Sequence, residues 1–389
     1  MLSYSPLIIF GRKYQEDLQM KHFNETKLAK LHTASELLES KYGKEGTKSR
    51  REFEEKARAY FHEVILRKQR KSRNTNRFPY TLYNIGTKKV VPLLLFLAFL
   101  VSGCSQKTGL TWIPFQWEGA DISGKYIEKA FIYVPVNVED LPYDYTMQLD
   151  LGTYDSRIYG KTFQPYLAES KTMTQKLDST NMFHGLRLKM GDAVFENAKA
   201  GYMVDFGDIV PEDSLHSGTP KHVGTIGPDL FQGKVLIIDY PGKRFAVTDS
   251  VPDEYKALPG EPFEVDNGIT KLSFKLEGQE EKLMFDTGSS PFQLVTTKER
   301  ALAIASPEIV DSLSGPLWWG QMITFYGFKV NKPLEVSGKA RPNSVVYYDK
   351  EGLWKQIFDA FKVWGITGNA YFYDNVLIID YKNKVFRVQ

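Results

Sequence analysis

The sequence predicts an all-β-dominated fold of two tandem, repeated halves with a few short helices. Three observations predict it. The apolar strand Val235-Leu236-Ile237-Ile238-Asp239-Tyr240 recurs letter for letter as Val376-Leu377-Ile378-Ile379-Asp380-Tyr381. A second pattern also occurs twice, as Asp150-Leu151-Gly152-Thr153 and Asp286-Thr287-Gly288-Ser289: an Asp ending an apolar run, then a Gly turn and a hydroxyl residue. The third is the wealth of Phe, Tyr and β-branched residues, which pack well on pleated surfaces.

The repeat extends outward in register. Gly227 falls on Gly368, Phe231 on Phe372, Lys243 on Lys384, Phe245 on Phe386 and Val247 on Val388. Upstream, Phe131–Val138 leads through a turn at Pro142 to Tyr145–Leu149 and Asp150. Leu272–Leu276 leads through a turn at Gly278 to Lys282–Phe285 and Asp286. Each unit therefore reads as a hairpin ending in Asp-x-Gly-Ser/Thr, an intervening region, then a Gly turn and the repeated strand. The expected halves are residues 126–250 and 251–389. Within the second, the run Leu353–Phe361 places apolar residues on one face of a helix, which packs on that half. Trp318-Trp319-Gly320, followed by Met322–Val330, reads as an aromatic turn and a strand.

Charge is unevenly spread. Residues 1–89 hold 20 Lys and Arg against 10 Asp and Glu, leaving 30 against 37 for the rest. The C-terminal part is thus mildly acidic, with no clustered basic face for nucleic acid. Cys104 is the single cysteine, so neither an intrachain disulfide nor a cysteine metal cluster can form. It closes a pattern: Lys88-Lys89, the apolar run Val90–Val101, then Ser102-Gly103-Cys104. A basic start, a short apolar core and small residues before the cut mark a signal peptide over 88–103. The run is shorter than the roughly 20 residues a bilayer span needs. Val101–Cys104 resembles a bacterial lipobox, which implies an acylated Cys104, a tether over 104–125, and attachment to the cell envelope. With no Asp after the cysteine, the resemblance points to the periplasmic side of the outer membrane. Residues 1–87 are hydrophilic and partly helical. Three readings stand: a start assigned too early, which is favoured, a discarded cytoplasmic extension, or a cytosolic domain.

The two Asp motifs in their repeat resemble the aspartic peptidases of the pepsin and retropepsin type, and more closely the bacterial retropepsin-like lipoproteins. Phe285–Ser290 carries the full motif, and Gly227-Pro228-Asp229-Leu230-Phe231 with Val235–Tyr240 matches the closing segment. The resemblance covers about residues 126–389. It implies a two-lobed, pseudo-twofold, acid-protease-like β-barrel fold and peptide or protein substrates cleaved without a cofactor or metal. Asp150 and Asp286 would be the catalytic pair, supported by Gly152, Thr153, Thr287, Gly288 and Ser289. One chain holds both half-sites, so a monomer suffices.

The chemistry explains the pattern. Two carboxylates about 3 Å apart cannot both ionise and share a proton. One can then take a proton from water while the other gives one to the substrate carbonyl. Glycine after each Asp permits a tight turn, and the fourth-position hydroxyl is placed to bond its own carboxylate. In the family, the second-position Thr reaches across to the other lobe's backbone. Leu151 cannot do this, and Thr225-Ile226-Gly227 and Ile366-Thr367-Gly368 each carry a Thr in an otherwise apolar segment. Activity is therefore left open, with a catalytically impaired binding or structural lipoprotein as the alternative. His184, His216 and His222 lack zinc-site spacing, and no Gly-x-Ser-x-Gly elbow is present.

Overall fold

The computed structural model describes residues 109–122, 124–318 and 321–389. The extension 1–87, the signal-like stretch 88–103, Cys104 and Trp319 lie outside the described residues. The strands in chain order are β1 (Trp112–Pro114), β2 (Gln116–Ile122), β3 (Lys125–Val138), β4 (Tyr145–Leu149), β5 (Arg157–Tyr159), β6 (Met182–Met190), β7 (Ala193–Met203), β8 (Lys221–Ile226), β9 (Val235–Asp239) and β10 (Arg244–Thr248). There follow β11 (Glu261–Asp266), β12 (Ile269–Leu276), β13 (Gln279–Phe285), β14 (Leu294–Thr296), β15 (Ala305–Trp318), β16 (Gln321–Val330), β17 (Leu334–Val336), β18 (Lys339–Arg341), β19 (Val345–Asp349), β20 (Gly365–Thr367), β21 (Val376–Asp380) and β22 (Val385–Val388). The helices are short, such as Gly160–Glu169, Lys298–Ile304 and Lys355–Phe361. The architecture is strand-dominated, in line with the all-β expectation.

The barrels expected from the sequence are not found as clear closed sheets. A 15-stranded sheet runs in the order β1-β10-β9-β21-β22-β11-β12-β13-β20-β14-β19-β16-β15, with β17 and β18 off this path. A 7-stranded sheet runs β2-β3-β4-β8-β5-β7-β6, with a short β3–β6 pairing besides. The cause lies in the repeated strand. β9 pairs antiparallel with β21, so each copy joins the other instead of closing on its own half. Ile237 sits opposite its repeat equivalent Ile378.

Both faces of this strand pair are covered. Leu236, Ile238, Leu377 and Ile379 enter the main core. Val235, Ile237 and Ile378 point the other way and pack with Tyr255. Side chains alternate faces along a strand, so a continuous apolar run is what such a two-sided position requires. Residues 112–114 and 116–122, assigned to a tether by the sequence, are strands. Ile113 and Phe115 are buried in the main core, and Ile113 pairs with Phe245 of β10. The tether reading missed them because it took its bounds from the lipobox and the start of the repeat, although Trp112, Ile113, Phe115 and Trp117 are apolar or aromatic.

The second core lies behind the long β2–β3 hairpin. Ala120, Ile122, Ala130 and Phe131 pack there with Phe292, Leu313, Phe325 and Tyr347. The amphipathic helix appears at Lys355–Phe361 and sends Ile357, Phe358 and Phe361 into the same core. β16 pairs antiparallel along β15, with Leu313 opposite Phe325. Among the described residues no helix is long and apolar enough to cross a membrane.

Candidate active site

Each Asp is delivered by the same local construction. β4 pairs in parallel with β8, Leu149 beside Ile226, and Asp150 N–H then donates to the Ile226 carbonyl at 3.0 Å. β13 pairs in parallel with β20, Phe285 beside Thr367, and Asp286 N–H donates to the Thr367 carbonyl at 3.0 Å. Ile226 and Thr367 are equivalent positions of the repeat. The strand that carries each Asp is thus fixed from its flank before the chain turns at the Gly.

The two turns meet. A methyl group at Gly152 would collide with the Asp286 carboxyl, and one at Gly288 with the Asp150 carboxyl. Hydrogen in place of Cβ is what allows the opposing carboxylates to approach. Asp150 and Asp286 lie within hydrogen-bond reach of each other. Both are fully buried. Burial raises Asp150 well above the ordinary carboxylate range, and the neighbouring Asp286 charge raises it further. Burial also raises Asp286, opposed by the Ser289 hydroxyl and the N–H groups of its turn. Their titration belongs to the pair.

The supporting residues are not used alike. Asp286 Oδ1 accepts from the N–H of Gly288 at 2.8 Å and of Ser289 at 3.1 Å, and Oδ2 accepts from Ser289 Oγ at 2.8 Å. Asp150 Oδ1 accepts from Gly152 N–H at 3.0 Å. The Thr153 hydroxyl, expected on its own carboxylate, donates instead to the Asp155 carbonyl at 3.2 Å. The Thr287 hydroxyl spans the two turns: it accepts from Leu151 N–H and donates to the Leu149 carbonyl, both at 2.8 Å. Leu151 returns no such bond, and its side chain is buried in the main core.

Residues outside the expected supporting set hold this arrangement together. Asn369 donates from Nδ2 to the Thr287 carbonyl at 2.8 Å and accepts at Oδ1 from the Tyr240 hydroxyl at 2.7 Å. It ties the Asp286 turn to the end of the first repeated strand. Asn369 occupies the repeat position of Pro228, and that divergence was the signal available in the sequence. Gln148 donates from Nε2 to Asp150 Oδ2 at 3.4 Å. Asp229 accepts at Oδ1 from Ser156 N–H at 2.8 Å and Ser156 Oγ at 2.9 Å, and burial pushes its carboxyl up to about 6. Around Asp150 the Tyr159 hydroxyl bonds Thr225 Oγ1 at 2.5 Å, while His222 stacks on Tyr133 with ring centroids 4.3 Å apart. Desolvation pushes His222 down to about 4, so it is neutral. Among the described residues no group of three or more His, Cys, Asp or Glu is gathered to hold a metal ion.

No family model matches the chain, and no curated protein matches it. Among solved structures the chain is similar to basic 7S globulin from soybean, with TM-score 0.39 and 11% identity over 72% of this chain and 94% of that chain. A likeness of that size carries no argument about fold or function. The resemblance to pepsin- and retropepsin-type peptidases read from the sequence is therefore corrected: short motifs suggested kinship, but no peptidase family matches, and what the site does has to follow from its geometry.

Proposed function

We propose that the chain hydrolyses peptide bonds in the bacterial cell envelope, using a water activated between Asp150 and Asp286, and that it is held there by lipid on Cys104. The observation that carries the reading is the meeting of the two carboxylates across Gly152 and Gly288. In such a pair one carboxylate takes a proton from water as its oxygen attacks the carbonyl carbon. The other gives its proton to the carbonyl oxygen, forming a diol. Collapse breaks the C–N bond, with the nitrogen taking the proton that the first had gained and the second taking one back. A two-lobed, pseudo-twofold arrangement belongs to this reading. The repeated registers around each Asp and the facing Ile237 and Ile378 support it.

Full burial of both carboxylates favours a second reading, a non-catalytic module that binds an extended peptide or serves the envelope structurally. Peptide-library cleavage by the full-length chain across acid and neutral pH separates the two. Hydrolysis abolished by Asp286→Asn, at least a hundredfold below wild type, is expected. Cleavage that survives this change would sink the carboxylate mechanism. For the anchor, fatty-acid labelling should disappear in Cys104→Ala; persistent labelling would refute attachment there.

A further inference from the structure

We propose that the Gln148 side-chain amide is the positioning donor of the Asp150 half-site, that Asp150 holds the shared proton, and that Asp286 is the anion acting as base. This rests on the two-carboxylate reading above. Gln148 and Asp150 are two residues apart at the end of β4, so their side chains leave on the same side. The amide reaches Asp150 Oδ2, at 3.4 Å. That oxygen is the counterpart of Asp286 Oδ2, which takes the Ser289 hydroxyl at 2.8 Å. Thr153, the counterpart of Ser289, has turned to the Asp155 carbonyl. The counterpart of Gln148 in the other half is Met284, buried among apolar side chains. Each half-site therefore has its own outer donor, a hydroxyl in one and an amide in the other.

The donors are unequal. Asp286 accepts three bonds of 2.8 to 3.1 Å from its own turn. Asp150 accepts one at 3.0 Å from Gly152 and the longer one from Gln148. Gly288 N–H adds a weaker pull on Asp150. Donors stabilise the charged carboxylate, so the anion settles on Asp286 and the proton on Asp150. The titratable groups facing the pair are the Tyr159 phenol, engaged with Thr225, and beyond it Tyr133 stacked on neutral His222. In the reaction Asp286 takes the water proton as the C–O bond forms, and Asp150 gives its proton to the carbonyl oxygen. On collapse Asp150 regains a proton from the diol, while Asp286 protonates the leaving nitrogen.

The test reads ionisation directly, from the carboxyl carbon signals of Asp-labelled full-length protein across pH. Ser289→Ala is expected to raise the lower of the two titration steps, and Gln148→Met the upper, each by about 0.5 to 1 pH unit. Methionine matches glutamine in size and stands at the equivalent position of the other half. Single carboxyls provide a second measurement that needs no change at Gln148. Asp150 alone, in Asp286→Asn, should titrate at higher pH than Asp286 alone, in Asp150→Asn. The reverse order, or a Gln148→Met protein with both steps unmoved, overturns the assignment. A chain that titrates as stated but cleaves no peptide retains the assignment and loses the hydrolase reading. Cleavage with the reverse order does the opposite.

Discussion

At the residue scale, the structure stores its unusual energetics in a few buried ionisable groups outside the Asp pair. Asp229 and His222 are shifted in opposite directions, up to about 6 and down to about 4, both mainly by burial. Their effects on stability have opposite signs. The folded chain holds a proton on Asp229 that the unfolded chain releases near pH 4. Asp229 therefore costs stability as pH rises from about 4 to 6, on the order of 3 kcal/mol once complete. His222 is neutral in the fold but charges in the unfolded chain below about 6.5, so it costs stability, on the order of 3 kcal/mol, as pH falls from about 6.5 to 4. Urea unfolding at pH 4.5 and 7 should show Asp229→Asn gaining on wild type mainly at pH 7, because asparagine keeps an acceptor for Ser156 without the charge. His222→Gln should compare better with wild type at pH 4.5 than at pH 7. Equal differences at both pH values would mean that neither group titrates differently on folding.

At the element scale, the repeated strand was legible because its composition admits one environment. An unbroken run of Val, Leu and Ile must be covered on both faces, and β9 and β21 are. What the run could not reveal was its partner. Identical strands each supply the same edge, and their pairing with one another at Ile237–Ile378 is settled by the packing of the whole. Ile237→Ala and Ile378→Ala should each cost about 2 to 5 kcal/mol. Because they share one small cluster with Val235 and Tyr255, the double variant should cost less than the sum of the singles. Strict additivity in denaturant unfolding would show that the two side chains do not share a cavity. The Asp turns were legible for a similar reason: only Gly survives where a carboxylate lies against the Cα, at Gly152 and Gly288. The direction of the Thr153 hydroxyl was not, because a short side chain in a turn has several acceptors within reach and the local backbone selects among them.

At the scale of the whole molecule, the β2–β3 hairpin crosses from the first half of the sequence onto the second. Its Lys129 carbonyl accepts from the Ser290 hydroxyl at 2.8 Å and the Tyr373 hydroxyl at 3.2 Å, beside the Asp286 turn. Its tip forms an ion pair, Lys125 with Asp311 at 2.6 Å, between partly exposed side chains. Exposed pairs contribute little, so Lys125→Ala should cost under about 1 kcal/mol. Phe131 is buried in the second core, and Phe131→Ala should cost about 3 to 5 kcal/mol. A larger loss from Lys125→Ala, in the same unfolding measurement, would show that charge and not apolar burial holds the hairpin down. The sequence by itself determined the strand-dominated class, the repeat, and which two carboxylates sit on equivalent turns, because periodicity and glycine placement are local and survive in the order of residues. Tertiary structure alone decided that the copies pair with each other, that Leu151 goes to the core while Asn369 and Tyr240 brace the turn, and that Gln148 and Ser289 hold the two carboxylates unequally. The pairing of the copies and the Tyr240–Asn369 bond bring together groups more than a hundred residues apart, a distance no local pattern encodes, while the unequal donors to the two carboxylates are near in sequence but depend on how each turn settles.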